Sequence, residues 1–152
     1  MSAEIALQAR EIRLLTCDVD GVLTDGRIHV DDEGHEFKAF SALDGVGLKM
    51  LMHAGITVAW ITGSSAPAVL HRARSLGVAR VVHGAQDKLT PWEALRRELA
   101  LPPTACAHIG DDLPDLPALF RVLYRLAARQ RALVVLDEFP YLLPGTERAR
   151  RE

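Results

Sequence analysis

Apolar residues along this chain fall into two patterns. In some stretches they run together and stop at a glycine, a threonine or an acidic cluster. In others they recur every three or four positions. The runs read as buried strands and the spaced sets as amphipathic helices. Strands are predicted over Arg13 to Val19, Thr57 to Ile61, Val78 to Val82 and Ala105 to Ile109. Arg27 to Val30 and His35 to Phe40, separated by the polar turn Asp31-Asp32-Glu33-Gly34, predict a β-hairpin. Helical spacing covers Asp44 to Ala54, which carries Val46, Leu48, Leu51 and Met52 and is ended by Gly55. It covers Pro67 to Leu76, closed by Gly77, and Thr90 to Leu101, with Thr90 expected as N-cap and Pro91 at the first helical position. Asp115 to Arg131 continues as helix and Ala132 to Leu136 as strand. Strands alternating with helices predict an α/β domain built on a mainly parallel sheet.

A chain of 152 residues is the size of one domain, and such a domain buries enough apolar surface to need no disulfide or structural metal. The formal charge of −2 gives no reason to expect a nucleic-acid or membrane surface. No apolar run approaches the roughly 20 residues that span a bilayer, and Met1 to Glu11 shows no signal-peptide pattern. Cys17 and Cys106 lie in strand-like contexts and read as reduced, buried residues of a cytoplasmic protein.

Chemistry concentrates where apolar runs end. Asp18-Val19-Asp20-Gly21-Val22-Leu23-Thr24 sets two carboxylates two residues apart, on one side of an extended segment. Like charges that close are stabilised by a cation between them or by a proton. Thr62-Gly63 ends the second core strand, Asp111, Asp112 and Asp115 follow the fourth, and Lys88 opens a helix. In a parallel sheet the C-terminal strand ends lie together, where ligands bind in open α/β folds. Carboxylates as hard oxygen ligands suit Mg²⁺, and a lysine with glycine-turn N–H groups suits a phosphoryl group.

These pieces, in this order, resemble the four motifs of the haloacid-dehalogenase-like (HAD-like) phosphatase superfamily. The resemblance implies a Rossmann-like parallel sheet flanked by helices, and a phosphomonoester hydrolase working through an aspartyl-phosphate. It implies Asp18 as nucleophile, Asp20 as proton donor and then base, Thr62 as a phosphoryl hydrogen-bond partner, and Lys88 as its counter-charge. Mg²⁺ would be held by Asp18, the backbone carbonyl of Asp20, and Asp111, with Asp112 and Asp115 positioning the ion or Lys88. A narrower resemblance, to 3-deoxy-D-manno-octulosonate 8-phosphate phosphatases, covers about positions 12 to 120. It rests on Asp18 to Gly26, Phe40, Asp44-Gly45-x-Gly47, Ile61-Thr62-Gly63 with Val69 and Arg72, and Gly84 with Asp87-Lys88. Thr62, Gly63, Ser64, Arg72, Asp44 and Lys88 are the substrate-binding candidates it implies. The stretch between the first two motifs is too short for a large cap and reads as the hairpin plus one helix. The resemblance to capless relatives implies a homotetramer in which the hairpin, near Arg27 to Phe40, and a neighbouring subunit cover the site. The implied setting is cytoplasmic lipopolysaccharide biosynthesis.

Two departures bear on function. Octulosonate phosphatases usually carry Arg or Lys after the Thr-Gly pair, and relatives acting on nine-carbon sugar acids carry Glu. Ser64 offers a hydroxyl but no charge for the substrate carboxylate. A related phosphatase for another acidic nine-carbon sugar phosphate is therefore the first alternative. Secondly, the likeness fades near Val122. Ten of the eleven glycines precede that region, and residues 121–152 hold seven arginines against four acidic side chains. The expectation is one domain over 1–152 with an atypical tail over 122–152, and a fold-retaining homologue of impaired catalysis is the second alternative. Among the rest, Asp31, Asp32, Glu33 and Glu36 read as a solvated hairpin, Trp60 as core, and Trp92 as core or subunit contact. His83 and His108 read as core or rim contacts, and His29, His35, His53 and His71 lack metal-ligand spacing.

Overall fold

Among the described residues, four parallel strands form the centre of the fold. The structure is a computed structural model and describes residues 9–118. β1 (Leu14–Cys17) lies between β4 (Thr57–Ile61) and β6 (Cys106–Ile109), while β5 (Arg80–Val82) lies outside β4. Parallel strands covered on both faces are apolar almost throughout, and β4 has four consecutive buried residues, Val58 to Ile61. Its side chains alternate: Val58 and Trp60 join one core, Ala59 and Ile61 the other.

α1 (Ala42–His53) and α2 (Pro67–Leu76) supply Leu48, Val69 and Leu76 to the first core. α3 (Leu89–Glu98) supplies Trp92 and Leu95 to the second, so Trp92 is fully buried core, as is Trp60. The architecture is the α/β arrangement expected. Between β1 and β4 lie only the hairpin of β2 (His29–Val30) and β3 (Glu36–Phe37) and helix α1, with no large cap. The hairpin turn is held by Asp31, whose Oδ1 accepts from the backbone N–H of Glu33 and His35.

Boundaries differ where tertiary partners decide them. β1 ends at Cys17 and β5 begins at Arg80, where register partners on the neighbouring strands end and begin. α1 starts earlier than expected since Ser41 caps it, its Oγ accepting from Asp44 N–H. α2 keeps its expected limits, with Pro67 at the first turn and Gly77 closing it at φ 85°. Thr90 is not the N-cap of α3. Lys88 holds that position with its side chain turned away into the sheet ends, and Asp87 accepts from both Leu89 N–H and the Thr90 hydroxyl. A carboxylate one residue outside the helix thus replaces the threonine, and complements the helix dipole as well. A 3-10 turn at Leu113–Asp115 leads into a helix at residues 116–118. The remainder of the helix expected to Arg131, the strand over Ala132 to Leu136, and the 122–152 tail lie outside the described residues.

Candidate active site

β1, β4 and β6 deliver their acidic and hydroxyl residues to one edge of the sheet. Asp18 follows β1 directly and its N–H still donates to Ile109 O (2.8 Å), so the nucleophile candidate is anchored by the ladder. Around it opens a cavity of about 530 Å³ lined by Asp20, Gly21, Thr62, Gly63, Ser64, Lys88, Asp111 and Asp112. Asp115 lies fully buried beneath it.

Each carboxylate has a distinct environment. Asp18 Oδ1 accepts from Val19 N–H at 2.6 Å and Oδ2 faces Lys88 Nζ at 2.7 Å. Burial pushes its carboxyl above the ordinary range, against the opposing pull of Lys88. Lys88 is itself buried and bridges Asp18 to Asp115 Oδ1, the latter at 2.9 Å. Burial alone would weaken the ammonium's hold on its proton, but the two carboxylates more than compensate and raise it. Burial also opposes ionisation of Asp115, yet hydrogen bonds from His108 and Lys88 hold its carboxyl below the usual value. Asp112 accepts from Leu113 N–H and forms a reciprocal cap with Asp115, whose Oδ2 accepts from Asp112 N–H.

Asp111 is less well supported. Its carboxyl is raised by burial and then by repulsion from Asp18, against its own backbone N–H and Lys88, and its buried Oδ1 has no hydrogen-bond partner among the described residues. Oxygens of Asp18, Asp111 and Asp115 lie within 4.8 Å of one another. Gly21, at φ 81°, leaves the space that the Asp111 carboxylate fills, for a Cβ there would overlap it. An orphaned carboxylate oxygen facing a second carboxylate fits a hard divalent cation. Asp115 accepts from a histidine and a lysine and Asp18 from the same lysine, and Asp18, Asp111 and Asp115 are the side chains that could hold such an ion. Asp20 lines the same cavity, and its Oδ1 lies 2.5 Å from Lys38 Nζ.

Thr62 is buried, and its Oγ1 accepts from Ser64 N–H at 3.1 Å, which leaves the hydroxyl proton for another acceptor. Ser64 Oγ accepts from Ala66 N–H and so helps open α2. Arg72 and Asp44 are not at this cavity. Both line a small separate one with Phe40 and Trp60, where Arg72 donates to Ser41 O at 3.1 Å and sits 5.8 Å from the Phe40 ring centroid. Gly45 admits this packing, because a Cβ there would lie 2.6 Å from Arg72 Nη2. Gly45 therefore lets α1 seat against α2.

Two residues escaped the sequence reading. Lys38 is buried between Asp20 and Glu36, at 2.5 Å from each. Its only signal was the two-residue spacing from Glu36 on an extended strand. Gln86 lines the cavity without belonging to any motif. His108, expected as a core or rim contact, is core, but core wired to the site through Asp115.

A scan against protein-family models matches none. The chain is 40% identical over 141 residues to the 3-deoxy-D-manno-octulosonate 8-phosphate phosphatase KdsC of Yersinia pestis, covering 93% of this chain and 72% of that protein. It is 38% identical over 151 residues to KdsC of Escherichia coli K12, covering 99% and 77%. Its fold superposes on the Moraxella catarrhalis 3-deoxy-D-manno-octulosonate 8-phosphate phosphatase, solved with magnesium, phosphate and KDO, with TM-score 0.75 and 45% identity over 78% of this chain and 68% of that one. Against the Yersinia pestis phosphatase structure the values are 0.76 and 41%, over 78% of this chain and 64% of that one, just under two thirds of its length. A HAD superfamily hydrolase from Streptomyces avermitilis superposes with TM-score 0.69 at 32% identity, over 73% of this chain and 68% of that one. With the capless α/β sheet, the acidic strand ends and this level of identity, the chain belongs to the KdsC family of HAD superfamily phosphatases.

Proposed function

We propose that this protein is a Mg²⁺-dependent phosphomonoesterase acting on 3-deoxy-D-manno-octulosonate 8-phosphate. The observation that carries the reading is the convergence of Asp18, Lys88 and the unpartnered Asp111 oxygen on one cavity. An Asp18 oxygen attacks phosphorus, the P–O bond to the sugar breaks, and the departing alkoxide takes a proton from Asp20. Water then attacks the aspartyl-phosphate, gives its proton to Asp20, and the bond to Asp18 breaks to release inorganic phosphate. Thr62 donates its free hydroxyl proton to the phosphoryl group, and Lys88 balances charge on Asp18. Asp18, Asp111 and the Asp20 carbonyl would hold Mg²⁺, which would supply positive charge to offset that of the transferring phosphoryl group.

Among the described residues that line the cavity Lys88 is the only cation, and it is already paired. A second reading, resting on Ser64 after the Thr62-Gly63 pair, has another acidic nine-carbon sugar phosphate as the substrate. Phosphate release from a panel of sugar phosphates with Mg²⁺ separates the two. Turnover fastest on the octulosonate ester supports the first, turnover fastest on a nine-carbon ester the second, and none on any ester leaves a fold-retaining homologue of impaired catalysis. Asp18→Asn is expected to abolish release with the fold retained. Full activity in that variant removes Asp18 as nucleophile.

Homotetramer assembly belongs to the same proposal. It is supported by Ile28, Val30 and Phe37 exposed on the hairpin and by an exposed stripe of Leu43, Val46 and Met50 along α1. Light scattering that returns a monomer mass removes it. The single-domain organisation over 1–152, the cytoplasmic setting and the lipopolysaccharide role are likewise proposed. Their support is the near-complete match to KdsC relatives, the two buried free cysteines, and the absence among the described residues of a helix long and apolar enough to cross a membrane.

A further inference from the structure

Two polar side chains occupy the middle of the sheet where apolar ones would pack without cost. Thr16 and His108 are register partners across β1 and β6, and both are buried. Burying an imidazole and a hydroxyl is unfavourable unless both are hydrogen-bonded, and here every polar atom of the pair has a partner. His108 Nδ1 lies 2.8 Å from Thr16 Oγ1, and Nε2 lies 2.8 Å from Asp115 Oδ1. A carboxylate only accepts, so Nε2 is the nitrogen that carries a proton. Thr16 Oγ1 also reaches Ala107 O at 3.1 Å, so its hydroxyl serves Nδ1 as donor or acceptor and fixes the ring plane either way.

The far end of this pair is the active site. Asp115 Oδ1 receives both His108 Nε2 and Lys88 Nζ, and Lys88 Nζ in turn faces Asp18 Oδ2. A Cβ on Gly110 would overlap the Asp115 carboxyl, so the backbone itself gives way to place that side chain. We propose that His108 is a positioning residue. Held by Thr16, it pins Asp115 so that Lys88 is divided between Asp115 and Asp18 instead of being drawn wholly to Asp115. Without the Nε2–H donor, Asp115 turns both oxygens to Lys88 and the ammonium withdraws from the nucleophile. His108 touches neither substrate nor Asp18.

The kinetic consequence deepens the phosphatase reading and rests on it; the placement of the ring does not. Full-length protein with Mg²⁺ is assayed on the octulosonate ester and on p-nitrophenyl phosphate, as wild type, His108→Leu, His108→Gln and Thr16→Val. Loss of a partner of this kind costs about 10- to 100-fold in activity. His108→Leu is expected to lose that much kcat with KM little changed. His108→Gln, whose amide N–H takes the place of Nε2–H, is expected to recover most of it. Equal kcat loss in both variants, in step with their melting temperatures, overturns the proposal, and so does wild-type kcat in His108→Leu. Imidazole ¹H–¹⁵N spectra of the wild type decide the same point without turnover or a folded Leu variant. A proton on His108 Nε2 whose signal moves in Asp115→Asn supports the inference, and a ring protonated on Nδ1 alone sinks it. If wild type cleaves neither ester, the phosphatase reading falls while the spectra still judge His108.

Discussion

Replacing Lys88 by Met keeps the aliphatic stem and removes the one ammonium shared by two buried carboxylates. The side chains concerned are 4% (Lys88), 6% (Asp18) and 0% (Asp115) exposed, at 2.7 and 2.9 Å. Solvent therefore does little to replace the lost partner. Removing one member of a buried ion pair costs about 3–5 kcal/mol, a large part of the roughly 5–15 kcal/mol that holds a domain together. At this size the melting temperature should fall by roughly 6–20 °C. The sign with pH follows from the carboxylates. In wild type, Asp115 is held below its ordinary value, so its contribution is present above the usual carboxyl range and fades as pH falls through its folded value. Asp18 is raised, so its ionisation opposes folding at higher pH. Lys88 is raised too, and its contribution persists below the ordinary lysine range and is lost only as pH rises through its folded value. With Lys88 gone, Asp115 joins Asp18 as a buried carboxylate that the fold would rather protonate. The deficit is thus largest near about pH 8 and shrinks towards about pH 5. Urea unfolding of both proteins in EDTA at the two pH values measures it. A Lys88→Met variant within about 1 kcal/mol of wild type near about pH 8, with no pH dependence in the difference, refutes the claim that Lys88 compensates these charges.

Gly21→Ala forces a side chain into a left-handed backbone, at a cost of about 1–2 kcal/mol, and drives it into the Asp111 carboxylate. The Mg²⁺ concentration for half-maximal phosphate release should rise by about tenfold or more, and an unchanged Mg²⁺ titration means that Asp111 does not hold the ion. Lys38→Met frees the Asp20 carboxylate from its buried ammonium. Because positioned acid–base groups contribute about 10²- to 10⁴-fold, kcat should fall measurably while Glu36→Gln changes it less. Equal rates for Lys38→Met and wild type remove Lys38 from the chemistry. Excess Mg²⁺ should also stabilise the fold, by about 2.7 kcal/mol at a hundredfold over its dissociation constant. A melting temperature identical with Mg²⁺ and with EDTA argues against a bound ion.

Much of the fold was legible because its signals are local. The buried run of β4, the proline and glycine that bracket α2, and the hairpin's Asp-Asp-Glu-Gly turn each carry their reason within a few residues. The acidic strand ends were legible for the same reason, since parallel topology alone brings Asp18, Thr62 and Asp111 to one edge. Where sequence reasoning diverged, a distant partner intervened. Thr90 has every local qualification for a cap, but Lys88 turns inward to Asp18 and Asp115, and Asp87 takes the capping role. Arg72 has the charge for a substrate carboxylate, yet the gap over Gly45 and the Phe40 ring draws it to Ser41 O instead.

By itself, the order of residues determined the α/β plan, the absence of a large cap within the described region, and the acidic, hydroxyl and lysine residues that meet at one cavity. Only the tertiary structure decided how those side chains are held. It set Thr16 opposite His108, gave Lys88 two carboxylates, left an Asp111 oxygen without a partner, and brought Lys38 from the hairpin onto Asp20. The physical reason is range. Periodicity and capping act over a few residues, whereas register between β1 and β6 pairs positions 92 residues apart, as in the Thr16–His108 contact.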